Sequence, residues 1–242
     1  MSYREYIPHT ALRSYIDAYW TVTTGPACRS FTSRILPDGA IDIICNLGAA
    51  VGNAGSDTVL ESDKVYLVGT MTSFSDSLIQ PEARLVGIRF KPAAFSVFYR
   101  MPLHQTADAC IEFERELLNL GLEQDDFVTR LNRHFMNRLN VTSPVLFPVI
   151  DSIIHHKGAR RIEELASQHF ITQRQLERYF NQSVGVSVKA FSNIIRFRSV
   201  LRSIQQNTQL SLEDIALKHG YYDHAHLTRD IKKYTGTTPS RH

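Results

Sequence analysis

The strongest constraint on this chain is a helical unit that occurs twice in its C-terminal part. Ile162-Glu-Glu-Leu-Ala166 matches Leu212-Glu-Asp-Ile-Ala216 in character at every position, at an offset of 50. Leu176-Glu-Arg178-Tyr-Phe180 matches Leu227-Thr-Arg229-Asp-Ile231, and Gly185-Val-Ser187 matches Gly236-Thr-Thr238, both at an offset of 51. One residue is therefore inserted in the turn of the second copy. Two copies point to a duplication, because a solenoid needs about three or more repeats to bury a continuous core.

Each copy has the pattern of a helix-turn-helix. The first helix ends near Gln168-His169-Phe170 in copy one and at Gly220 in copy two, where glycine adopts the left-handed conformation that stops a helix. Thr172 with Gln175 spells a capping box that starts the next helix, and Asp223 stands at the N-cap position of its counterpart. Leu176, Tyr179 and Phe180 form the inward stripe of the first recognition helix; Leu227, Ile231 and Tyr234 form that of the second. Gln173, Arg174, Glu177 and Arg178 are left outward in one copy, and His224, Ala225, His226, Thr228 and Arg229 in the other. An exposed Arg is usually only solvated, and helix-turn-helix geometry also serves domains that bind no DNA. Two copies with Arg at one outward register favour nucleic acid.

Between the copies, Ala190 to Ile204 carries apolar residues at 191, 194, 195, 201 and 204, the pattern of a helix on the order of 25 Å long. Successive major-groove faces on one side of B-DNA repeat every ~34 Å. A linker of that length, with the helix radii added, holds two recognition helices one groove apart. Charge distribution agrees. Residues 143–242 carry 14 Lys and Arg against 8 Asp and Glu, whereas residues 1–142 carry 13 against 16. A basic half behind a slightly acidic one suits a polyanionic partner.

The N-terminal half reads as mainly β. Ala40-Ile-Asp-Ile-Ile-Cys-Asn46 follows the turn signal Pro37-Asp-Gly39, and Lys64–Gly69 and Arg84–Phe90 are further strand candidates. Segments 92–100, 112–120 and 123–139 turn helical in spacing. The apolar period stops at Asn140-Val-Thr-Ser-Pro144, which sets the expected division: a sensor or dimerisation domain over 1–140 and a DNA-binding domain over 141–242. The fold class is α+β.

Several classes lack support. No run of about 18 uncharged apolar residues exists to span a membrane, and the N-terminus has no basic-then-apolar secretory pattern. Cys28, Cys45 and Cys110 are too few and too scattered for a disulfide framework, so the expected compartment is the cytoplasm. No phosphate-binding Gly loop, Gly-x-Ser-x-Gly elbow or His-Glu-x-x-His is present. His224 and His226 lie two apart, a spacing that does not share a helix face, so they do not read as metal ligands. No catalytic residue, metal or cofactor is expected. Asp38 and Asp42 read as a turn and a strand aspartate.

From Ile215 to Pro239 the chain closely resembles the AraC/XylS family of bacterial transcription regulators, and the resemblance extends over about 150–242. It implies that Arg174, Glu177 and Arg178 face bases from the first recognition helix, and that His224, Ala225, His226 and Arg229 lie at the second groove. Gln173 joins the first set, and Lys218 is the candidate phosphate contact. Val188 stands where the family often has Pro. Ala225 offers one base-reading position only a methyl, able to touch thymine but not to hydrogen-bond. Residues 1–140 resemble an uncharacterised sensor-type domain found before some members, through Ile35–Gly39, Asn46-Leu-Gly48 and Val86–Pro92. A small cupin-type β-barrel is the fold expected by analogy. The implied partners are double-stranded DNA, a small-molecule effector, a second copy of the chain and RNA polymerase. The resemblance also covers relatives with a four-Cys zinc site for alkyl-DNA repair, which three scattered Cys do not supply. The alternative reading makes residues 1–140 a metal-dependent cupin-type enzyme fused to a DNA-binding module, with His9 and His104 as its strand-domain candidates.

Overall fold

The computed structural model describes residues 1–53, 56–140, 145–206 and 210–239. Of the expected boundary at 140–144, residues 141–144 lie outside the described residues. The N-terminal part is built from ten antiparallel strands: β1 (Ser2–Tyr6), β2 (Ile16–Thr23), β3 (Phe31–Ile35), β4 (Ile41–Asn46), β5 (Val51–Asn53), β6 (Ser56–Leu60), β7 (Lys64–Val68), β8 (Ser75–Ile79), β9 (Arg84–Phe90) and β10 (Cys110–Glu112). They form a six-stranded sheet in the order β1-β2-β9-β4-β7-β10 and a four-stranded sheet in the order β3-β8-β5-β6.

The three strands expected from sequence, now β4, β7 and β9, lie side by side in the middle of the larger sheet. Strands covered on both faces are apolar at nearly every position, which is what makes them readable. The expected cupin-type barrel is corrected. The larger sheet ends in β1 and β10 and the smaller in β3 and β6, so among the described residues the sheets do not close on each other. Closure is not needed, because helices cover the second face. On one side Trp20, Val22 and Leu85 pack against Val51 and Ile79 of the smaller sheet. On the other, Tyr19, Ile43, Leu67 and Ile88 pack under Leu117, Leu131 and Phe135. The last two belong to α1 (Phe127–Arg138). The helical spacing over 92–100 and 112–120 resolves into short 3-10 turns at Ala94–Val97 and Arg115–Leu120.

A half-buried ionic group lies on the inter-sheet side. The indole of Trp20 lies over Gly87, where a Cβ would meet a ring atom at 1.9 Å. Its Nε1 donates to Asp42 Oδ1 at 2.7 Å, and the Arg89 guanidinium stands 3.5 Å from the same carboxylate. Burial pushes the Asp42 carboxyl up to about 6, with Arg89 and the indole opposing the shift. Asp38 caps its own turn by accepting from Ala40 N–H at 2.9 Å.

The C-terminal part is helical: α2 (Phe147–His155), α3 (Ile162–Gln168), α4 (Gln173–Ser183), α5 (Val188–Gln206), α6 (Leu212–Lys218) and α7 (His224–Thr235). The long helix α5 runs through two cores. Val188 and Phe191 join Leu165, Leu176 and Phe180 in the first, and Val200 joins Ile215, Leu227 and Ile231 in the second. The β part touches the first core and a smaller cluster beside the second. Ala93 is buried in the first, and Leu36 packs on Ile194, Phe197 and Tyr234 beside the second.

Candidate nucleic-acid interface

The two units are built to one plan. In each, the turn after the first helix has a left-handed residue, Phe170 (φ 53°) or Gly220 (φ 72°). The next amide then bonds back into that helix, Ile171 N–H to Ala166 O at 3.1 Å and Tyr221 N–H to Ala216 O at 2.9 Å. The inserted residue is Tyr222, which is 89% exposed. Recognition helix α4 starts at Thr172, whose Oγ1 accepts from Gln175 N–H at 3.2 Å. The Gln175 side chain accepts from Thr172 N–H at 3.0 Å in return. Asp223 starts α7 by accepting from His226 N–H at 2.7 Å. These caps satisfy amides that the helix leaves without partners. A second capping box at Ser211 and Asp214 starts α6; its Ser-x-x-Asp spacing was legible but not singled out. The Ser211 hydrogen bonds hold the Asp214 carboxyl below its usual range.

Burial sorts the faces. Leu176, Phe180, Leu227, Ile231 and Tyr234 are buried, and Tyr179 is half-buried. Gln173, Arg174 and Arg178 are exposed on α4, as are His224, Ala225 and Arg229 on α7 and Lys218 at the end of α6. The Arg178 guanidinium lies over the Tyr179 ring at 5.3 Å, and Arg229 Nε reaches Ala225 O at 3.4 Å. Two candidates are less free. Glu177 is half-buried, and its Oε2 accepts from Val188 N–H at 3.4 Å, at the start of α5. His226 sets its ring edge-on against Tyr221, centroids 5.1 Å apart.

Sequence reasoning did not find the contacts between the β part and the ends of both recognition helices. At the end of α4, Leu103 N–H donates to Gln182 O at 2.9 Å and Thr70 Oγ1 to Val184 O at 2.6 Å. At the end of α7, Arg34 Nη1 donates to Thr235 O at 2.8 Å. Arg34 is itself aimed by a two-pronged pair with Asp76, both distances 2.7 Å. A cation is favourable at a helix C-terminus, where carbonyls lack partners.

The metal-enzyme alternative rests on His9 and His104. His9 caps the 3-10 turn at Thr10–Leu12 with its ring, His104 is exposed, and no group of three or more His, Cys, Asp or Glu positioned for a metal exists among the described residues. Also among the described residues, no helix is long and apolar enough to cross a membrane.

Comparison with known proteins places this geometry. Residues 165–242 match a family model described as a helix-turn-helix domain, and residues 4–112 match a domain of unknown function, DUF6597. The probable transcription factor PqrA of Proteus vulgaris is 26% identical over 102 residues, covering 42% of this chain and 82% of that protein. Among solved structures, ToxT from Vibrio cholerae aligns with a TM-score of 0.49 at 11% identity, covering 99% of this chain and 97% of that one. The C-terminal domain of AraT, a response regulator from Geobacillus stearothermophilus, aligns with a TM-score of 0.37 at 22% identity, covering 40% of this chain and 81% of that one. The duplicated, capped unit, the helix-turn-helix family model and the similarity to PqrA together show a C-terminal helix-turn-helix domain of the AraC type, behind a domain of unknown function.

Proposed function

We propose that α4 and α7 enter two adjacent major-groove segments on one side of a duplex, and that the N-terminal domain governs how the pair is presented. The observation that carries this reading is the shared mount. Both units pack on α5, whose 19 residues span on the order of 28 Å at the helical rise, against a groove repeat of ~34 Å. Arg178 and Arg229 occupy equivalent outward positions on the two recognition helices, and Arg is the side chain best suited to grip guanine O6 and N7. Gln173 and Arg174 extend the first reading surface, and His224 with Ala225 the second. Lys218 contacts phosphate. Glu177 and His226, each engaged within the protein, position the reading helices more than they read.

Control by the N-terminal domain follows from its hold on the ends of both recognition helices. A shift of the β part against either end changes the pitch of one helix relative to the other, and a duplex senses that difference directly. The test is spacing. Sites selected from random duplexes should show two contacted segments about one turn apart. Inserting about 5 bp between them turns the second groove to the opposite face, and affinity should fall to that of a single unit. Equal affinity after the insertion overturns the two-groove reading.

A further inference from the structure

The larger sheet has a face covered by helices, and that face changes character along its strands. Toward the C-terminal part it is apolar, with Tyr19, Ile43 and Ile88 buried in the core. At the far end the same face presents Thr21 and Thr23 of β2, Arg4 of β1 and Arg84 of β9. There the helical layer lifts away and leaves a cleft of about 490 Å³, roofed by residues 122–125 and Phe127. That volume lies within the range of small-molecule sites, ~300–1,000 Å³. The roof is tied down where Arg84 Nη2 donates to Glu123 O at 2.6 Å.

Register places the two arginines. Arg4 pairs with Thr21 and Arg84 with Thr23, on strands that flank β2 from either side. Two strand spacings and a two-residue stagger along the strands put their backbones about 12 Å apart, a gap that two long side chains can bridge above the threonine hydroxyls. The opposite wall carries Glu123 and Asp125. Among the described residues none of these four charged side chains forms an ion pair. Half-buried Tyr6, beside the buried Val86, Leu122 and Phe127, supplies the apolar strip between the walls.

We propose that this cleft binds a small zwitterion of the amino-acid or short-peptide class, its carboxylate on Arg4 and Arg84 and its ammonium toward Glu123 and Asp125. A simple anion would sit beside two carboxylates, and a simple cation beside two guanidinium groups; only a molecule with both charges complements both walls. The apolar strip takes the side chain. The proposal deepens the sensor reading and rests on it only for the consequence for DNA, because occupancy of the cleft is measured without DNA.

Equilibrium dialysis of the full chain against a mixture of the common L-amino acids and their dipeptides, with retained compounds read by mass spectrometry, tests it. A retained zwitterion is expected. Calorimetry should then show binding weakened about tenfold or more by Arg84→Ala and by Arg4→Ala, and less by Arg84→Lys. The N-acetyl and methyl-ester forms of the compound should each bind as weakly. Arg4 is exposed, so its variant should keep the wild-type melting temperature and report on binding alone. No retained compound, equal retention by both alanine variants, or an N-acetyl form that binds as well as its parent overturns the proposal. DNA affinity of the ligand-free variants separates the two readings. Lost zwitterion binding with unchanged DNA affinity supports the cleft, whereas DNA binding that fails in wild type leaves the cleft standing and removes the regulator reading above.

Discussion

The first helix-turn-helix unit has Phe170 where the second has Gly220, and both residues hold a positive φ. Glycine does so at little cost, whereas a phenylalanine is strained there. Phe170 is also 96% exposed, so its ring offsets none of that strain by burial. The second unit has the better turn, yet it carries the extra residue Tyr222 and the smaller core. The first core joins α2 to α5 and takes in Ala93 from the β part; the second rests mainly on α5, α6 and α7. Strain at the turn is tolerated where tertiary packing is heavier, and relieved where packing is lighter. The proposed reading surfaces differ as well, with Gln173 and Arg174 opening α4 and His224 and Ala225 opening α7.

The largest test of this contrast lies in the cores. Phe180 and Ile231 are equivalent and buried. Phe180→Ala should cost about 3–5 kcal/mol and Ile231→Ala about 2–5, measured by urea denaturation, with the first the larger. A greater loss from Ile231→Ala would reverse the ranking of the two cores. Next come the reading helices. Arg178→Ala and Arg229→Ala should each cost about 1–3 kcal/mol at a cognate site, with relaxed base preference in different segments. Lost preference in the same segment would show that the units do not read separately.

The turn offers a smaller, opposite-signed pair. Phe170→Gly should raise stability by about 0.5–1 kcal/mol, and Gly220→Ala should lower it by about 1 or more; a loss from Phe170→Gly would mean that the ring makes a stabilising contact within the folded chain. The smallest effect is acid sensitivity. His219 is buried, with Nε2 2.9 Å from Ser203 Oγ, while its counterpart His169 is half-buried. Burial, then Lys157 and Lys218, hold the His219 pKa below the ordinary value. The folded state therefore binds its proton less well than the unfolded chain. Its contribution is present above pH ~6.5 and is lost as pH falls through the lowered folded value. Hydrogen exchange at falling pH should loosen α6 and α7 before α3 and α4, and His219→Gln should remove the difference.

Most of the helical half could be read from the chain because its determinants are local. Caps, left-handed stops and inward stripes act within about a turn or two of helix, so Thr172, Gln175, Gly220 and Asp223 could be assigned by inspection. The central strands β4, β7 and β9 were legible through continuous apolar runs. The edge strands β1 and β10 and the smaller sheet were not, because half-exposed strands such as Phe31–Ile35 and Ser75–Ile79 mix polar and apolar residues without a clear run. The candidate site was partly legible: the outward register of Arg178 and Arg229 was readable, but the attachment of Glu177 to Val188 depends on where α5 begins in space.

The linear order of residues was enough to set the duplication, the starts of α4 and α7 and the arginine-bearing faces, since each depends on neighbours a few positions apart. Folding in three dimensions settled how the halves meet. Thr70 reaches Val184 across 114 positions and Arg34 reaches Thr235 across 201, and the cleft draws on β1, β9 and the segment before α1. Contacts of that range leave no periodic trace, because each hydrogen bond joins residues whose own neighbours specify different elements.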